Sequence, residues 1–317
     1  PPPPSTFFFN DSATTESYTR SLGGSVRCGL ETDITYCSDP EEGKRLASEC
    51  ERLNSWGYSA RLISSEELSK LEPNLEIGQF HTGIYTREEG HVLPVKVAEA
   101  CMNQIDAAGG KLHIGTEVES ISQDGDKVLL HSPDGHREFD KVVIAAGTDS
   151  TGLALTAGIN LPQRRSPGVV VKTNPLPSFI KNLSTIYLPA LSKEEKELHI
   201  RQSTDGVVMI GAGDQESEAE DDSQEYADKL VQRASLHFNQ LSGVDAIRVP
   251  VGFRPMPEDG LPVIGSSPPN NNIYLTLMHS GVTLAPLVGA LAALEITTGI
   301  SNADLDPYRP SRFSIKA

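Results

Sequence analysis

The sequence predicts an α/β fold, built as one large domain or, in the favoured interpretation, as two interleaved lobes. Short β-type runs and segments with apolar residues at helical spacing follow one another along the chain. The 317 residues provide ample material for a large core, and their number favours two lobes. No repeat of fixed period points to a solenoid or a propeller instead.

The first predicted elements are a polar lead-in, a strand and a capped helix. Residues 1–19 are rich in proline, serine and threonine, which favours an extended or disordered segment. Residues 34–36 are typical of a strand. Asp39 then precedes Pro40 and two glutamates, and apolar residues recur at helical spacing behind them. This pattern predicts a helix over residues 40–56.

Two further helices and a strand are expected next. Ser64, with Glu67 three residues later, is the signature of a capping box and predicts a short helix that ends before Pro73. Pro94 introduces a longer helix, which the glycines at 109 and 110 stop. The apolar residues 112–114 then predict a strand.

Two glycine turns predict hairpins. Asp124-Gly125 and Asp205-Gly206 are each flanked by runs in which apolar and polar residues alternate. The strands predicted in this way cover residues 117–122, 127–132, 198–201 and 207–210.

The remaining elements are a buried strand and two helices. Residues 141–146 form a continuous apolar run, as expected of a strand that is buried on both faces. Helical spacing over residues 226–241 and 283–298 predicts two helices, and Gly299 ends the second. The acidic residues 214–228 are interpreted as a solvated loop that leads into the first of these helices.

Composition excludes several classes of protein. A formal charge of -16 leaves no basic stripe for phosphates, so we expect no nucleic-acid partner. The four cysteines show no C-x-x-C spacing, so we expect reduced thiols and no metal site. No run approaches about 18 apolar residues, and residues 7–9 are too short for a signal-peptide core. We therefore expect no membrane span and an intracellular, cytoplasmic protein.

Three segments could carry chemistry, and the first is the end of the strand at residues 141–146. Its last residues and Gly147 are small, which allows a backbone to approach a ligand closely at the carboxyl edge of a parallel sheet. A core strand followed by an ordinary turn is an equally good interpretation.

The second segment is Val251-Gly252-Phe253-Arg254-Pro255. An arginine between an apolar strand and a proline-fixed bend would be held rigidly, and its guanidinium can bind a carboxylate through two hydrogen bonds. The alternative is an exposed arginine at the end of a strand.

The third segment covers residues 278–286, directly before the last helix. A glycine-containing turn that leads into a helix collects backbone N–H groups and the positive end of the helix dipole at one point, where an anion is stabilised. His279 lies in this turn, and a structural histidine is the alternative to a catalytic one.

These three segments, in this order, resemble the FAD-dependent oxidoreductases related to D-amino-acid oxidase, glycine oxidase and sarcosine oxidase. Residues 88–94, 205–212 and 305–313 add matching pieces, so that the resemblance covers residues 20–313. It implies a split, Rossmann-like FAD-binding domain together with a substrate domain built on a mixed sheet. The FAD-binding domain would comprise residues 92–160 and 250–317, and the substrate domain residues 20–91 and 161–249.

The resemblance also implies roles for individual residues. Val118 matches the position whose backbone contacts adenine, and Ala146 and Gly147 match the strand end near the dinucleotide. Arg254 matches the arginine that binds the substrate carboxylate. The segment along the flavin ring corresponds to Met278, His279, Ser280, Gly281, Val282 and Thr283, and His279 falls where glycine oxidase-like members place an arginine on the substrate side.

The implied activity is oxidation of the C–N bond of an amino acid or secondary amine by hydride transfer to flavin. The partner is then a small-molecule amine or amino acid whose carboxylate Arg254 fixes. His279 would steer the substrate or interact with the edge of the flavin. No cysteine lies near Arg254 or His279 in the sequence, so we expect FAD to be bound non-covalently.

One departure from the family pattern concerns the phosphate-binding unit. These enzymes normally begin with a strand, a G-x-G-x-x-G turn and a helix whose N–H groups hold the FAD pyrophosphate. The sequence as given shows no such unit, and Gly23-Gly24 is interpreted as a loop. We therefore expect weak retention of FAD and favour a partial chain. The alternative is a homologue that has lost the flavin site and acts as a non-redox binding or scaffold module.

Overall fold

The computed structural model describes residues 32–87, 90–190, 192, 195–212, 220–267 and 270–313. The predicted lead-in over residues 1–19 and the loop at Gly23-Gly24 lie outside the described residues. So do the two glutamates of the matching piece at residues 88–94 and residues 214–219 of the predicted acidic loop, whose last residues, 224–228, already belong to a helix.

The described residues divide into two compact units. The first comprises residues 32–112, 169–212 and 221–250, and the second comprises residues 113–168, 220 and 251–313. Both are interleaved in sequence, which agrees with the two-lobed interpretation. The assignment of one lobe to FAD and the other to substrate stays a prediction.

Strands make up most of the regular structure. In chain order they are β1 (Thr32–Cys37), β2 (Ala60–Ile63), β3 (Thr82–Thr86), β4 (Ser120–Asp124), β5 (Lys127–Ser132), β6 (Gly135–Phe139), β7 (Val142–Ile144), β8 (Gln163–Arg164), β9 (Pro167–Gly168), β10 (Val170–Thr173), β11 (Leu183–Leu188), β12 (Leu198–Gln202), β13 (Val208–Ala212), β14 (Ala246–Arg248), β15 (Gly252–Phe253), β16 (Met256–Pro257), β17 (Val263–Ser267) and β18 (Asn270–Leu277).

The α-helices are α1 (Pro40–Ser55), α2 (Ser65–Leu71), α3 (Pro94–Ala107), α4 (Ser150–Thr156), α5 (Gln224–Ser235) and α6 (Gly281–Thr298). Short 3-10 helices cover Gly147–Asp149, Asn239–Leu241, Ala303–Tyr308 and Pro310–Phe313.

The first unit is built on an eight-stranded mixed sheet in the order β14-β10-β13-β12-β11-β1-β3-β2. Strands β1 and β11 pair in parallel within it, and the other neighbours are antiparallel. One face packs its alternate side chains against α5, which buries Leu230 and Ala234. The mixed sheet and its helices confirm the predicted α/β fold.

The second unit contains smaller sheets. Strands β17, β18 and β7 form one three-stranded sheet, and β4, β5 and β6 form another. The first of these sheets and α4 share a core that includes Ile144, Ala154 and Leu275. Two short pairs, β15 with β9 and β16 with β8, lie close to each other in sequence.

Several predicted elements are confirmed. The Asp39 carboxylate accepts hydrogen bonds from two N–H groups at the start of α1, and Ser64 and Glu67 form the capping box of α2. Gly125 turns between β4 and β5 with φ +57°, and Gly206 lies between β12 and β13 with φ +85°, the left-handed region that glycine adopts without strain.

Three element predictions require correction. Residues 112–114 form no strand, and Ile114 is 83% exposed, so no neighbouring strand pairs with this short run. The strand predicted over residues 141–146 is confined to β7, and Val143 on one face is 45% exposed instead of buried. The helix predicted over residues 226–241 ends earlier, because α5 gives way to a turn and a short 3-10 helix.

The apolar helix α6 has a notable composition. Its 18 residues have a mean hydropathy of 1.5, which by length and composition alone would be enough to cross a membrane. Only 17% of the helix is buried in the structure. Core helices of water-soluble proteins have the same length and hydropathy. The expected lack of a membrane span therefore stays a prediction.

Candidate functional site

The candidate site lies in the second unit, at one edge of its parallel strand pair. Strand β7 pairs in parallel with β18, with Val142 opposite Ile273 and Ile144 opposite Leu275. The carboxyl ends of the two strands therefore meet at the same edge. In open α/β sheets ligands bind outside this edge. The two segments that the sequence singled out, after residues 144 and 277, are brought together there.

The turn after β7 depends on a glycine. Gly147 is the first residue of a short 3-10 helix and has φ +59°. L-residues with side chains rarely adopt this left-handed backbone conformation. A Cβ atom at this position would meet no atom within 4 Å. The backbone of the turn is thus open to an approaching group, as the predicted role of Ala146 and Gly147 requires.

The turn before α6 is strained. Ser280 has φ +43°, and it is the only non-glycine residue with a left-handed backbone in the described part of the chain. Its hydroxyl lies 2.8 Å from His279 Nδ1 and does not cap the helix. The first turn of α6, with Gly281, Val282 and Thr283, is exposed. The N–H groups of this turn and the helix dipole therefore favour negative charge at the same sheet edge.

A cavity of about 530 Å³ opens beside these two turns. Its wall is mostly apolar and is rich in small residues, which keep the backbone accessible. Residues from β7 and its turn, from the end of β18 and from one face of α6 contribute to it, namely Val143, Ala145, Gly147, Pro255, Thr276, Leu277, Met278, Gly281, Ala285, Val288, Gly289, Ala292, Ala293 and Ile296. Of the predicted residues, the cavity brings together Gly147, Met278 and Gly281.

Arg254 is held by the backbone of its own unit. Its N–H donates to the Ser166 carbonyl over 2.8 Å, and its guanidinium donates to the Pro167 carbonyl. The guanidinium lies over Gly168, where a Cβ atom would come within 2.8 Å of Nη2. A side chain at residue 168 would therefore require the guanidinium to move. Two backbone carbonyls contact Arg254, and within the described residues no carboxylate pairs with it. Its predicted rigid placement stays a prediction.

A second arginine flanks Arg254. The Arg165 guanidinium stacks on the ring of Phe253 at 4.2 Å and binds Glu220 through two hydrogen bonds of 2.6 and 2.7 Å. This pairing holds the pKa of the Glu220 carboxyl below its ordinary value. Arg165 is satisfied by a carboxylate of its own chain and is therefore a poor candidate for substrate binding, unlike Arg254.

The structure leaves Val118 apart from this cavity. Val118 is half-buried beside the β4–β5–β6 sheet and packs against the core of the second unit. It does not line the cavity that Gly147, Met278 and Gly281 share. Its predicted contact with adenine stays a prediction.

A buried ion pair fixes the far end of α6. Glu295 accepts two hydrogen bonds from the Arg309 guanidinium, at 2.6 and 2.8 Å, and one from the Tyr274 hydroxyl of β18 at 2.6 Å. Burial alone would raise the pKa of the Glu295 carboxyl, but these hydrogen bonds and one from the Asn302 N–H outweigh it and lower the pKa to about 2. The network ties the helix wall of the cavity to the sheet.

Beyond Gly281, sequence reasoning missed the residues of α6 that line the cavity. Gly281, Ala285, Gly289 and Ala293 follow one another at intervals of four residues, so their small side chains share one face of α6 and line the cavity. This spacing was available in the sequence as a signal that something approaches the helix closely. Thr276 and Val143 were also missed, because their exposure depends on strand pairing.

The chain matches the sequence model of one protein family over residues 19–294, and that family is described as DAO, FAD dependent oxidoreductase. Among individual proteins it is 27% identical over 294 residues to one of the subunits of opine oxidase from Agrobacterium tumefaciens strain Ach5, covering 91% of this chain and 76% of that protein. It is 26% identical over 300 residues to glycine oxidase of Geobacillus kaustophilus strain HTA426, covering 91% and 74%.

Solved structures show the same fold. The crystal structure of glycine oxidase from Geobacillus kaustophilus aligns with a TM-score of 0.75 and 22% identity, covering 90% of this chain and 76% of that one. The crystal structure of L-proline dehydrogenase from P. horikoshii aligns with a TM-score of 0.78 and 22% identity, covering 94% and 80%.

Proposed function

Because the chain belongs to the DAO family of FAD-dependent oxidoreductases, we propose that it oxidises the C–N bond of an amino acid or secondary amine by hydride transfer to FAD. Relatives named opine oxidase and glycine oxidase support an amine or amino-acid substrate. The observation that carries the proposal is the meeting of the Gly147 turn with the start of α6 at one sheet edge, in the same unit as Arg254.

The residues at this edge fit a flavin. The small side chains of Ala145, Gly147 and Gly281 leave the backbone accessible, and a Cβ atom at Gly147 would project into open space. Flavin, when bound, would accept the hydride from the substrate carbon. The chain would hold it through backbone contacts at residues 145–147 and 278–283, without a covalent bond.

Arg254 would bind the carboxylate of the substrate. Two parallel hydrogen bonds from a guanidinium fix a carboxylate in both position and direction. The hydrogen bond to the Pro167 carbonyl and the packing on Gly168 hold the guanidinium before the substrate arrives. Little rotamer freedom of Arg254 is therefore lost when the substrate binds. Arg254 would thereby orient the substrate carbon without taking part in proton transfer.

The start of α6 would stabilise negative charge. Its first N–H groups carry the positive end of the helix dipole, and no side chain of the described residues caps them. His279 lies beside them and hydrogen-bonds Ser280, which fixes its ring in the turn. We assign His279 the role of steering the substrate from this position.

The test is spectroscopic. The chain is incubated with FAD, and amines are added without oxygen while the visible flavin bands are followed. A second sample, from which unbound FAD is removed, measures retention. Glycine and sarcosine are compared with methylamine and dimethylamine, which lack the carboxylate. We expect weak FAD retention. At least one of the two amines that carry a carboxylate should bleach the flavin bands, and neither methylamine nor dimethylamine should do so.

Two results would contradict the proposal. A chain that takes up no FAD under any condition would favour the non-redox binding or scaffold module instead. A chain that holds FAD but whose bands no amino acid or secondary amine bleaches would remove amine oxidation as its function.

A further inference from the structure

A second cavity, of about 530 Å³, lies within the first unit on the face of the eight-stranded sheet opposite to α5. Its floor is a row of side chains that neighbouring strands place side by side. Ile247 of β14 is opposite Lys172 of β10, Lys172 is opposite Met209 of β13, and Met209 is opposite Arg201 of β12. The segment before α3 and its first turn supply the facing wall.

Arg201 is a cation without an anionic partner among the residues that the structure describes. It is half-buried between the fully buried Ile200 and the buried Gln202, and its Nη2 lies 2.9 Å from the Met209 sulfur, a weak acceptor. Burial lowers the pKa of the Arg201 guanidinium, and Tyr187 acts in the opposite direction. A desolvated charge of this kind is costly unless an anion compensates it.

The carboxylate that lines the cavity is engaged elsewhere. Asp205 accepts hydrogen bonds from the Ser203 hydroxyl at 2.6 Å and from the Val207 N–H at 3.1 Å, within its own hairpin turn. These bonds, with a smaller contribution from Lys172, lower the pKa of the Asp205 carboxyl. Lys96, which also lines the cavity, pairs with Glu99 at 2.8 Å. Arg201 and Lys172 then carry two positive charges against the one negative charge of Asp205, so the cavity has an excess of positive charge.

Part of the wall is both apolar and exposed. Leu93, Val95 and Ile247 are 49%, 68% and 43% exposed, although all three line the cavity. Exposed apolar side chains around a cationic centre suit a ligand that has an anionic head and an apolar body. Phosphate, which lacks an apolar body, would leave this wall uncovered.

We propose that this cavity binds a small organic acid with an apolar body, whose carboxylate Arg201 and Lys172 hold. The planar guanidinium donates to the carboxylate, and Lys172 contributes a second positive charge. Met209, Leu93 and Val95 cover the apolar body. The site goes beyond the proposed oxidation, because binding here needs neither FAD nor turnover.

The test is a calorimetric titration of the full 317-residue chain with 4-methylpentanoate. The neutral 4-methylpentanamide has the same body without the charge, and inorganic phosphate has the charge without the body. We expect the carboxylate to bind at least about tenfold more tightly than either probe. Equal binding of the acid and its amide, or tighter binding of phosphate, would overturn the proposal.

Substitutions of Arg201 test whether 4-methylpentanoate binds at this residue. Arg201→Met removes the charge and keeps an unbranched apolar side chain, and we expect about 10- to 100-fold weaker binding of 4-methylpentanoate. Arg201→Lys restores the charge and should recover part of the loss. Arg248→Met is the matched control, because Arg248 follows Ile247 on the same edge strand but points to the other face and is near Asp222. Unchanged binding in Arg201→Met, or an equal loss in Arg248→Met, would overturn the proposal.

An independent variant covers the case in which Arg201→Met does not fold. Lys172 is half-buried at the same row, and Lys172→Met should weaken binding of 4-methylpentanoate by about threefold, since a partly solvated charge contributes less. Binding by Lys172→Met as tight as by the unaltered chain, with no salt dependence in either, would contradict a charged site.

A competition experiment separates this site from Arg254. We expect 4-methylpentanoate to bind without competing with the amine substrate. Competitive inhibition of amine oxidation that is unchanged in Arg201→Met would place 4-methylpentanoate at the substrate site and would overturn the proposal.

Discussion

Two cavities of nearly equal volume, one in each unit, are built in opposite ways. The cavity of the second unit is formed by strand ends, a glycine turn and small residues of α6, so that backbone makes up much of its wall. The cavity of the first unit is formed on the face of a sheet by long side chains, among them the positively charged Lys172 and Arg201. The first construction suits a flat, largely uncharged ring system, and the second suits a small anion. Volume therefore says little about a ligand until the lining atoms are considered.

The largest expected effect concerns the cavity of the second unit. Gly281→Phe would place an aromatic ring at the helix start, where a Cβ atom meets only Met278 Cγ at 4.0 Å. We expect FAD affinity to fall at least about a thousandfold, which corresponds to about 4 kcal/mol. Ala290→Phe is the control, because Ala290 is exposed on the same helix and does not line the cavity. If FAD titrations give the same loss of affinity for Gly281→Phe and Ala290→Phe, this cavity does not bind the flavin.

The next effect concerns the network that holds α6. Arg309→Met would leave the Glu295 carboxylate buried without its cation, so we expect a loss of about 3 kcal/mol in the free energy of unfolding near neutral pH. Arg52→Met, which breaks the exposed pair with Glu49 on α1, should cost less than about 1 kcal/mol. Urea unfolding of both variants measures the difference.

The stability that the Glu295–Arg309 pair contributes should decrease as the pH falls. The pKa of Glu295 is lowered from 4.5 to about 2 in the folded protein, so its contribution to stability is complete above the higher value and is lost as the pH falls toward the lower one. The difference between the unaltered chain and Arg309→Met should therefore narrow on acidification through this window. A difference that is constant with pH would mean that the ion pair is not its cause.

Arg254→Met should raise the KM for an amino-acid substrate about 30-fold, because about 2 kcal/mol of charge-assisted hydrogen bonding to the carboxylate is lost. Arg254→Lys should give an intermediate KM. Arg165→Met serves as the control, since Arg165 already pairs with Glu220. Steady-state kinetics in which Arg165→Met has the larger effect would shift carboxylate binding to the neighbouring arginine.

The smallest expected effect comes from the strained turn. Ser280→Gly should relieve the left-handed backbone at φ +43°, and after the entropy cost of glycine we expect a gain of about 0.5 kcal/mol in stability. Thermal unfolding measures this gain. If turnover falls while the melting temperature rises, the strain serves the site; if both are unchanged, the serine conformation has no role there.

The sequence was sufficient where structure is set by neighbouring residues. Asp39 before Pro40, Ser64 with Glu67, and the glycines at 125 and 206 determine caps and turns through contacts only a few residues long, and all were predicted. Residues 112–114 were misassigned because a short apolar run becomes a strand only if a partner pairs with it. Val143 was expected to be buried but is 45% exposed, because its exposure depends on what covers the sheet.

Some residues of the two cavities could be predicted from the sequence, and others could not. The resemblance placed the Gly147 turn and residues 278–283 together, and the parallel pairing of β7 with β18 brings them to one edge. Arg201 and Lys172 escaped notice because they meet only through the register of β10, β13 and β12. The alternation in β12, which buries Ile200 and Gln202, was the available signal that Arg201 projects from the opposite face.

The most direct test of this account crosses the two cavities with two ligands. FAD and 4-methylpentanoate are titrated separately into Gly281→Phe and Arg201→Met, with the unaltered chain as reference. If the two cavities bind different ligands, Gly281→Phe loses FAD and keeps the carboxylate, whereas Arg201→Met keeps FAD and loses the carboxylate. Loss of both ligands in one variant, or of neither ligand in both, would contradict the claim that the two cavities are built for different chemistry.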